Sequence, residues 1–452
     1  MSSIATQQVG ISAQGADLTP QARRAIWGAF IGFFVDNYDI FLPVIALAPA
    51  IAYFIPKTIS PTTASIAAAM IFATTLIGRP LGAFIFGHFA DTIGRKRVAV
   101  ISVFGFGVVT LLIAMLPGYS TWGDTVIYVF IALRLVDGIF LGGEYTSANT
   151  LAMEYCPKEK RGFYGALIQS AASLGTAAIS LVALAVLMFL PAGSPDAPYV
   201  QWGWRIPFVV GAIMAFGLAI YYHYSVEESE MWQKTKHTQS PIKTLFQGAN
   251  LRSFLQVFTV MTGFWLLLNA SLAVLPGLLA SQMHVVGTNL TLVLVVAYVV
   301  LAGVYVLGGI ISQRIGRRTY LMAASAVSAV FGTLCYYLLL NTEPGNMPLI
   351  LLLATLTTVL VVAPGALGTV YINERFQTGV RASGFGLGYS LAIVLPAFYV
   401  FYQAGLANFM PFKYTVLVLV VVGAFLIFVG AAWGPETKDV DFGAMSPPDA
   451  SH

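Results

Sequence analysis

Residues 350–360 read ILLLATLTTVL, eleven positions with no charge, glycine or proline. A membrane-barrel strand would alternate apolar and polar residues over short segments. This run is continuously apolar, and in hydrocarbon such a backbone is satisfied by a helix that bonds within its own segment. A spanning helix needs roughly 20 apolar residues, and the stretch around this run extends over 346–374. Comparable stretches lie at 23–50, 62–90, 97–116, 122–153, 163–190, 203–224, 253–282, 288–313, 318–340, 380–404 and 410–434. The chain therefore reads as an all-α polytopic membrane protein with twelve transmembrane helices. With 58% hydrophobic and 9% charged residues, against about 25% charged in soluble domains, a soluble globular enzyme is excluded.

Basic residues orient the bundle. With a cytoplasmic N-terminus, eighteen of the 23 Lys and Arg lie on the inner side and three, Lys57, Arg205 and Lys413, on the outer, leaving Arg79 and Arg134 within the membrane. This satisfies the positive-inside rule with both termini inside. The net charge of +4 is thus a topology signal, and no nucleic-acid partner is expected. Cys156 and Cys335 fall near opposite faces, so neither a disulfide nor a metal site is expected. The first 20 residues lack the order of a removed signal peptide, and the first span is expected to direct insertion.

The only long polar interruption, 225–252, falls between spans six and seven. It divides the chain into a cytoplasmic N-terminal segment (1–22), a first six-helix half (23–224), a cytoplasmic linker (225–252), a second six-helix half (253–434) and a cytoplasmic tail (435–452). The halves repeat one another. GHFADTIGRKR at 87–97 follows the second span and GIISQRIGRR at 309–318 the eighth, with glycines seven apart in each; Glu154 precedes Arg161, and Glu374 precedes Arg381, also by seven. The copies are offset by 222 and 220 residues. Paired halves imply a substrate site between them near the midplane.

These motifs resemble the major facilitator superfamily. Its loop pattern G-x-x-x-D-x-x-G-R-K-R stands at 87–97, and R-x-x-x-G-x-x-x-G-G stands as Arg134, Gly138, Gly142 and Gly143. E-x-x-P-x-x-x-R-G at 154–162 and Pro-Glu-Thr-Lys at 435–438 are shared with sugar porters and metabolite:proton symporters. Gly-Arg-Pro-Leu-Gly at 78–82, Gly-Gly-Glu-Tyr at 142–145 and Gly-Trp-Arg-Ile-Pro-Phe at 203–208 are most similar to the metabolite:proton symporter branch. The resemblance implies two six-helix halves related by pseudo-symmetry and transport of organic acids or some zwitterions. The first span departs from that branch, with Val-Asp-Asn-Tyr-Asp at 35–39 and prolines at 43 and 49; the seventh lacks the paired glutamines of sugar porters and offers Trp265 and Asn269.

Ionisable residues inside a membrane mark function. Asp36 and Asp39 lie on the first span, Arg79 on the second, and Arg134, Asp137 and Glu144 on the fourth. Asp36 and Asp39, three apart, share a helix face. Asp39 lies about 22 Å from the inner edge and Arg134 about 30 Å, depths that overlap within side-chain reach. Sugar porters pair a first-span acid with the fourth-span arginine, so the resemblance implies that Asp39 carries the proton and Arg134 sets its affinity, with Asp36 as runner-up; a permanent structural ion pair is the alternative. Arg79, about 18 Å from the inner edge, reads either as a clamp for an anionic substrate, because guanidinium presents a planar fork to carboxylate, or as the counter-ion of Asp36. Tyr38, Gln169, Trp265 and Asn269 are expected to shape the rest of the site. Asn149, Tyr298, Tyr305, Tyr389 and Gln403 could also line the cavity, but read first as interhelical hydrogen-bonding residues.

Asp91, Arg95, Glu154, Arg161, Glu374 and Arg381 gather at the inner ends in both copies of the repeat and read as gating residues. The family pattern sets Asp91 against the start of the eleventh span, here near 380–384, whereas the second copy has the uncharged Gln313. The expected protein is a secondary transporter: a proton-coupled symporter of a small organic anion, a monocarboxylate or aromatic acid, working by alternating access. A sugar, polyol or zwitterion porter is the alternative. The expected partners are substrate, protons and the lipid bilayer of the cell membrane, with no cofactor, no metal and a monomeric state. No nucleophile or nucleotide-binding loop suggests an enzyme.

Overall fold

The computed structural model describes residues 18–56, 61–234, 241–285 and 287–442. Residues 1–17, Lys57, Lys236 and the last ten of the tail, which entered the reading of segments and orientation, lie outside the described residues. The described residues form helices and no strand. Eleven are long and apolar enough to cross a membrane: α1 Pro20–Leu47, α3 Arg95–Ala114, α4 Thr125–Tyr155, α5 Lys158–Phe189, α6 Tyr199–Ser225, α7 Gly248–Gln282, α8 Gly287–Ile315, α9 Arg317–Leu340, α10 Met347–Arg375, α11 Thr378–Leu406 and α12 Phe412–Trp433. With the 33-residue α2, Pro61–Ile93, each expected span has its helix.

Two local features shape the interior of the first half. Thr19 caps α1, its hydroxyl accepting from the Ala22 amide, with Pro20 in the first turn. Regular α-helix ends at Ile40 and continues as a π-turn over Leu42–Leu47 and a 3-10 turn over Ala48–Tyr53. The cause is proline: Pro43 has no amide hydrogen for the carbonyl four residues earlier, which belongs to Asp39. In the fourth span, Gly138 and Gly142 lie so close to Thr75 and Arg79 of α2 that a Cβ at either would overlap a backbone carbonyl, and Gly78 and Gly82 answer from the other side. The glycine motif thus brings α2 and α4 into backbone contact and sets Arg134 against Thr75 of α2.

The halves meet along α5 against α8 and α2 against α11, the pairing that pseudo-symmetry demands. Gly94 and Gly316 both take positive φ, 115° and 99°, where the chain turns from α2 into α3 and from α8 into α9. The second half begins earlier than expected, at Gly248, and the polar linker carries two short helices, Glu230–Lys234 and Pro241–Leu245.

Candidate transport site and its gate

Arg134 is the hub of the first half. Its Nη1 pairs with Asp39 Oδ2 at 3.1 Å and with Asp137 Oδ2 at 3.0 Å, its Nε donates to Thr75 Oγ1 at 2.8 Å, and its Nη2 reaches the Asp39 carbonyl that Pro43 leaves free, at 3.3 Å. Thr110 of α3 donates to Asp39 Oδ1 at 2.7 Å. Arg79 takes Asp36 in a two-pronged pair, Nη1 to Oδ1 at 2.8 Å and Nη2 to Oδ2 at 3.0 Å. All five charged groups are sealed from solvent. Of the two open readings of Arg79, the geometry displays the counter-ion arrangement, and a fork of this kind suits a second carboxylate equally.

An aromatic wall stands between this cluster and the second half. The Arg79 guanidinium lies 5.9 Å from the Tyr145 ring; Tyr145 sits 4.3 Å from Tyr389 and 5.0 Å from Phe385, both on α11, and Trp265 of α7 lies 5.0 Å from Tyr389 and donates to its carbonyl at 3.0 Å. Trp265 therefore joins the Arg79 neighbourhood through Tyr389. Asn269 instead ties α7 to α11 through the Pro396 carbonyl, and Gln169 accepts from Thr369 across the half interface at 3.2 Å. Tyr38 departs from expectation. Its hydroxyl donates to the Pro207 carbonyl on α6 and its ring packs on Gly211. One position off the acid-bearing stripe is about 100° around the helix, which turns Tyr38 away from Arg79 and removes it from the candidate site. Tyr145 and Phe385 were missed because an aromatic in a glycine run reads as packing; the Gly-Gly-Glu-Tyr motif was the available signal.

The basic end of the bundle is latched. Asp91 accepts from the Ala382 and Ser383 amides at 3.2 and 2.9 Å and from Ser383 Oγ at 2.7 Å, capping the first turn of α11 from the opposite half, while pairing with Arg95 at 3.2 Å. Glu154 pairs with Arg95 at 3.2 Å and across the halves with Arg381 at 2.9 Å, and Arg95 also reaches the Thr378 carbonyl. In the second copy Glu374 pairs with Arg317 at 3.2 Å, and Gln313 accepts from the Gly162 amide at 2.9 Å. Two acids outside the expected gating set complete the symmetry, Glu228 in the linker and Glu436 in the Pro-Glu-Thr-Lys motif: Glu228 accepts from the Arg95 and Lys96 amides, Glu436 from those of Arg317 and Arg318. Each is followed by a hydroxyl residue, Ser229 or Thr437, that donates to Glu154 or Glu374.

Arg161 has a different partner. It donates to the Val440 carbonyl at 2.7 Å and lies 3.4 Å from the Phe442 ring, whose other face meets Arg381 at 3.9 Å. The tail thus staples the halves together. A cation–π contact stabilises by about 0.5 to 2 kcal/mol, so Phe442→Ala should raise the open population at this end roughly tenfold, read as faster labelling of a cysteine introduced there. Unchanged labelling would assign the ring to packing alone.

A family model described as Major Facilitator Superfamily matches residues 29–305. The chain belongs to the major facilitator superfamily. A second model, Sugar (and other) transporter, matches residues 223–447. This superfamily member is 35% identical to the shikimate transporter of Escherichia coli over 49% of this chain and 50% of that one. It is 28% identical to the alpha-ketoglutarate permease of the same organism over 84% and 87% of the chains, and 24% identical to its proline/betaine transporter over 89% and 82%. Its fold is similar to that of the proton:xylose symporter XylE from E. coli, solved with 6-bromo-6-deoxy-D-glucose: TM-score 0.73 at 15% identity, covering 94% of this chain and 98% of that one. The protein is a multi-pass secondary transporter of metabolites.

Proposed function

We propose that this transporter carries a small organic anion, a monocarboxylate or aromatic acid, together with protons across the cell membrane by alternating access, as a single chain with both termini in the cytoplasm. The observation that carries this reading is the buried Arg79, held by one carboxylate in a geometry that a substrate carboxylate can take over, beside a wall of Tyr145, Tyr389 and Trp265 that suits a flat ring. Substrate binding would release Asp36, and Asp39 on the same face of α1 is the proton carrier. A carboxyl pressed against arginine favours its charged form, whereas one left buried alone favours its neutral form. Making and breaking the Asp39–Arg134 pair therefore switches proton affinity during the cycle. Transporters for shikimate and alpha-ketoglutarate among the relatives support an anionic cargo.

Binding measurements with an acid and its amide test the clamp. A screen of carboxylates, sugars and amino acids by thermal shift supplies the ligand, since a molecule that binds only the folded state raises its stability. Wild type should prefer the acid by about 10- to 100-fold, the consequence of a charged hydrogen bond worth roughly 1.5 to 3 kcal/mol, and Arg79→Gln should erase the preference. Equal affinity of wild type for both would contradict the clamp. The Asp36–Arg79 pair also favours a second reading, a zwitterion that takes both partners at once; a requirement for an ammonium group in the screened ligands would select it.

A further inference from the structure

Four acids and two arginines occupy the interior of the first half: Asp36, Asp39, Asp137 and Glu144 with Arg79 and Arg134, none more than 1% exposed. The two arginines engage three of the acids. Glu144 is left over, and neither of its carboxylate oxygens has a hydrogen-bond partner among the described residues.

The placement of Glu144 follows from the same two helix stripes that build the ion pairs. On α1, Gly32, Asp36 and Asp39 are four and three residues apart; on α4, Arg134, Asp137 and Glu144 are three and seven apart, so each set shares a face. The helices run antiparallel, so Asp39 meets Arg134 and Gly32 meets Glu144. A Cβ at Gly32 would overlap Glu144 Oε1, and the Tyr222 hydroxyl of α6 lies 3.2 Å from the same point. Tyr222 is also fully buried, and its hydroxyl has no partner among the described residues. Seven residues of α1 set this notch about 10 Å nearer the basic end than Asp39.

The groups that face Glu144 do not supply a compensating charge. Tyr222 comes from α6, with Tyr221 beside it bonded to the Arg24 carbonyl. Asp36 of α1 is a like charge within electrostatic reach, and Arg79 of α2 has both terminal nitrogens on Asp36. From α3, Ser102 faces the neighbouring Gly143 and is neutral. A carboxylate buried without a counter-ion or donors takes up a proton instead of staying charged.

We propose that Glu144 is a proton-binding site separate from the Asp39–Arg134 pair: it holds a proton in the notch between Gly32 and Tyr222 while the basic end is latched, and releases it to water when that end opens. Glu144 is then a second acid on the α1–α4 contact, nearer the basic end than Asp39. Occupancy of the site rests on geometry; its part in transport rests on the proton-coupled reading above.

Infrared spectroscopy of the purified full-length protein at neutral pH tests the assignment, because a protonated carboxyl has a carbonyl stretch that a carboxylate lacks. Wild type should show such a band, Glu144→Gln should lose it, and protein grown on isotopically labelled glutamate should show it displaced. The labelling needs no variant and assigns the band to a glutamate; the other buried glutamates, Glu154 and Glu374, are each paired with an arginine, so a displaced band points to Glu144 even if Glu144→Gln fails to fold. A protonated-carboxyl region that neither the substitution nor the labelling alters would overturn the proposal. The band's presence in a protein without pH-driven uptake would leave Glu144 a proton site and remove the symport reading; its absence in a working symporter would remove this inference alone.

Discussion

Asn at position 39 should abolish accumulation driven by a pH gradient while leaving exchange of substrate between the two sides intact. Asp39 is the acid that faces Arg134 through a side-chain oxygen and its own carbonyl, and Thr110 fixes the other oxygen. The Asn variant keeps the shape of the side chain, its amide oxygen can still accept from Arg134 while its nitrogen donates to the Thr110 oxygen, and Arg134 retains Asp137 as a counter-ion, so the fold should survive with only the proton carrier removed. Arg134→Met should behave differently. It leaves Asp39 and Asp137 buried without a cation, and breaking a buried pair by removing one partner costs about 3 to 5 kcal/mol, enough to lower thermal stability and yield. Asp36→Asn should spare accumulation. Proteoliposome uptake and counterflow measured side by side separate the cases, and accumulation that persists in Asp39→Asn would move the proton to another acid.

The second large effect is expected at Asp91. Its carboxylate accepts three hydrogen bonds from the first turn of α11, where unpaired amides and the helix dipole stabilise negative charge. Each bond to a charged group contributes about 1.5 to 3 kcal/mol, and Asn at this position can oppose at most part of that set. Asp91→Asn should therefore raise the population open at the basic end by one to two orders of magnitude and slow transport, with insertion unaffected. Gln313 offers the sequence-symmetric contrast: across the halves it is itself uncharged, accepting from the Gly162 amide and donating to the Lys158 carbonyl, while its bond from Arg317 stays within its own half, and Gln313→Ala should shift the population only a few-fold. Cysteine labelling on both faces measures this. Unchanged exposure in Asp91→Asn would reduce the residue to a neutraliser of Arg95, a role the 3.2 Å pair also permits.

Spans and the repeat were readable because membrane helices demand unbroken apolar runs, and because the glycine and arginine positions repeat around 87–97 and 309–318, each copy with a glycine at positive φ. The contact of Asp91 with 382–383 and the Asp39–Arg134 juxtaposition were readable from motif and depth. What escaped was rotation and length. Tyr38 sits beside an acid in sequence but a hundred degrees from it in the helix, and Tyr145 meets Phe385 and Tyr389 of the second half, partners more than 200 residues away in sequence. Glu228 lies in a polar connector where a charge reads as solvated and Glu436 in a motif that by itself names no partner, and only the folded chain shows them capping α3 and α9. The same holds for Phe442, whose partners Arg161 and Arg381 are far from it in sequence and on opposite halves.

The central claim, that a proton gradient drives an organic anion through this fold, is tested most directly by uptake of a carboxylate identified in the binding screen into proteoliposomes of the purified protein, acidic outside, with and without a protonophore. The account predicts saturable uptake above the equilibrium level that collapses when the gradient is dissipated. Uptake that stops at equilibrium in both conditions, or that fails to saturate, would contradict it.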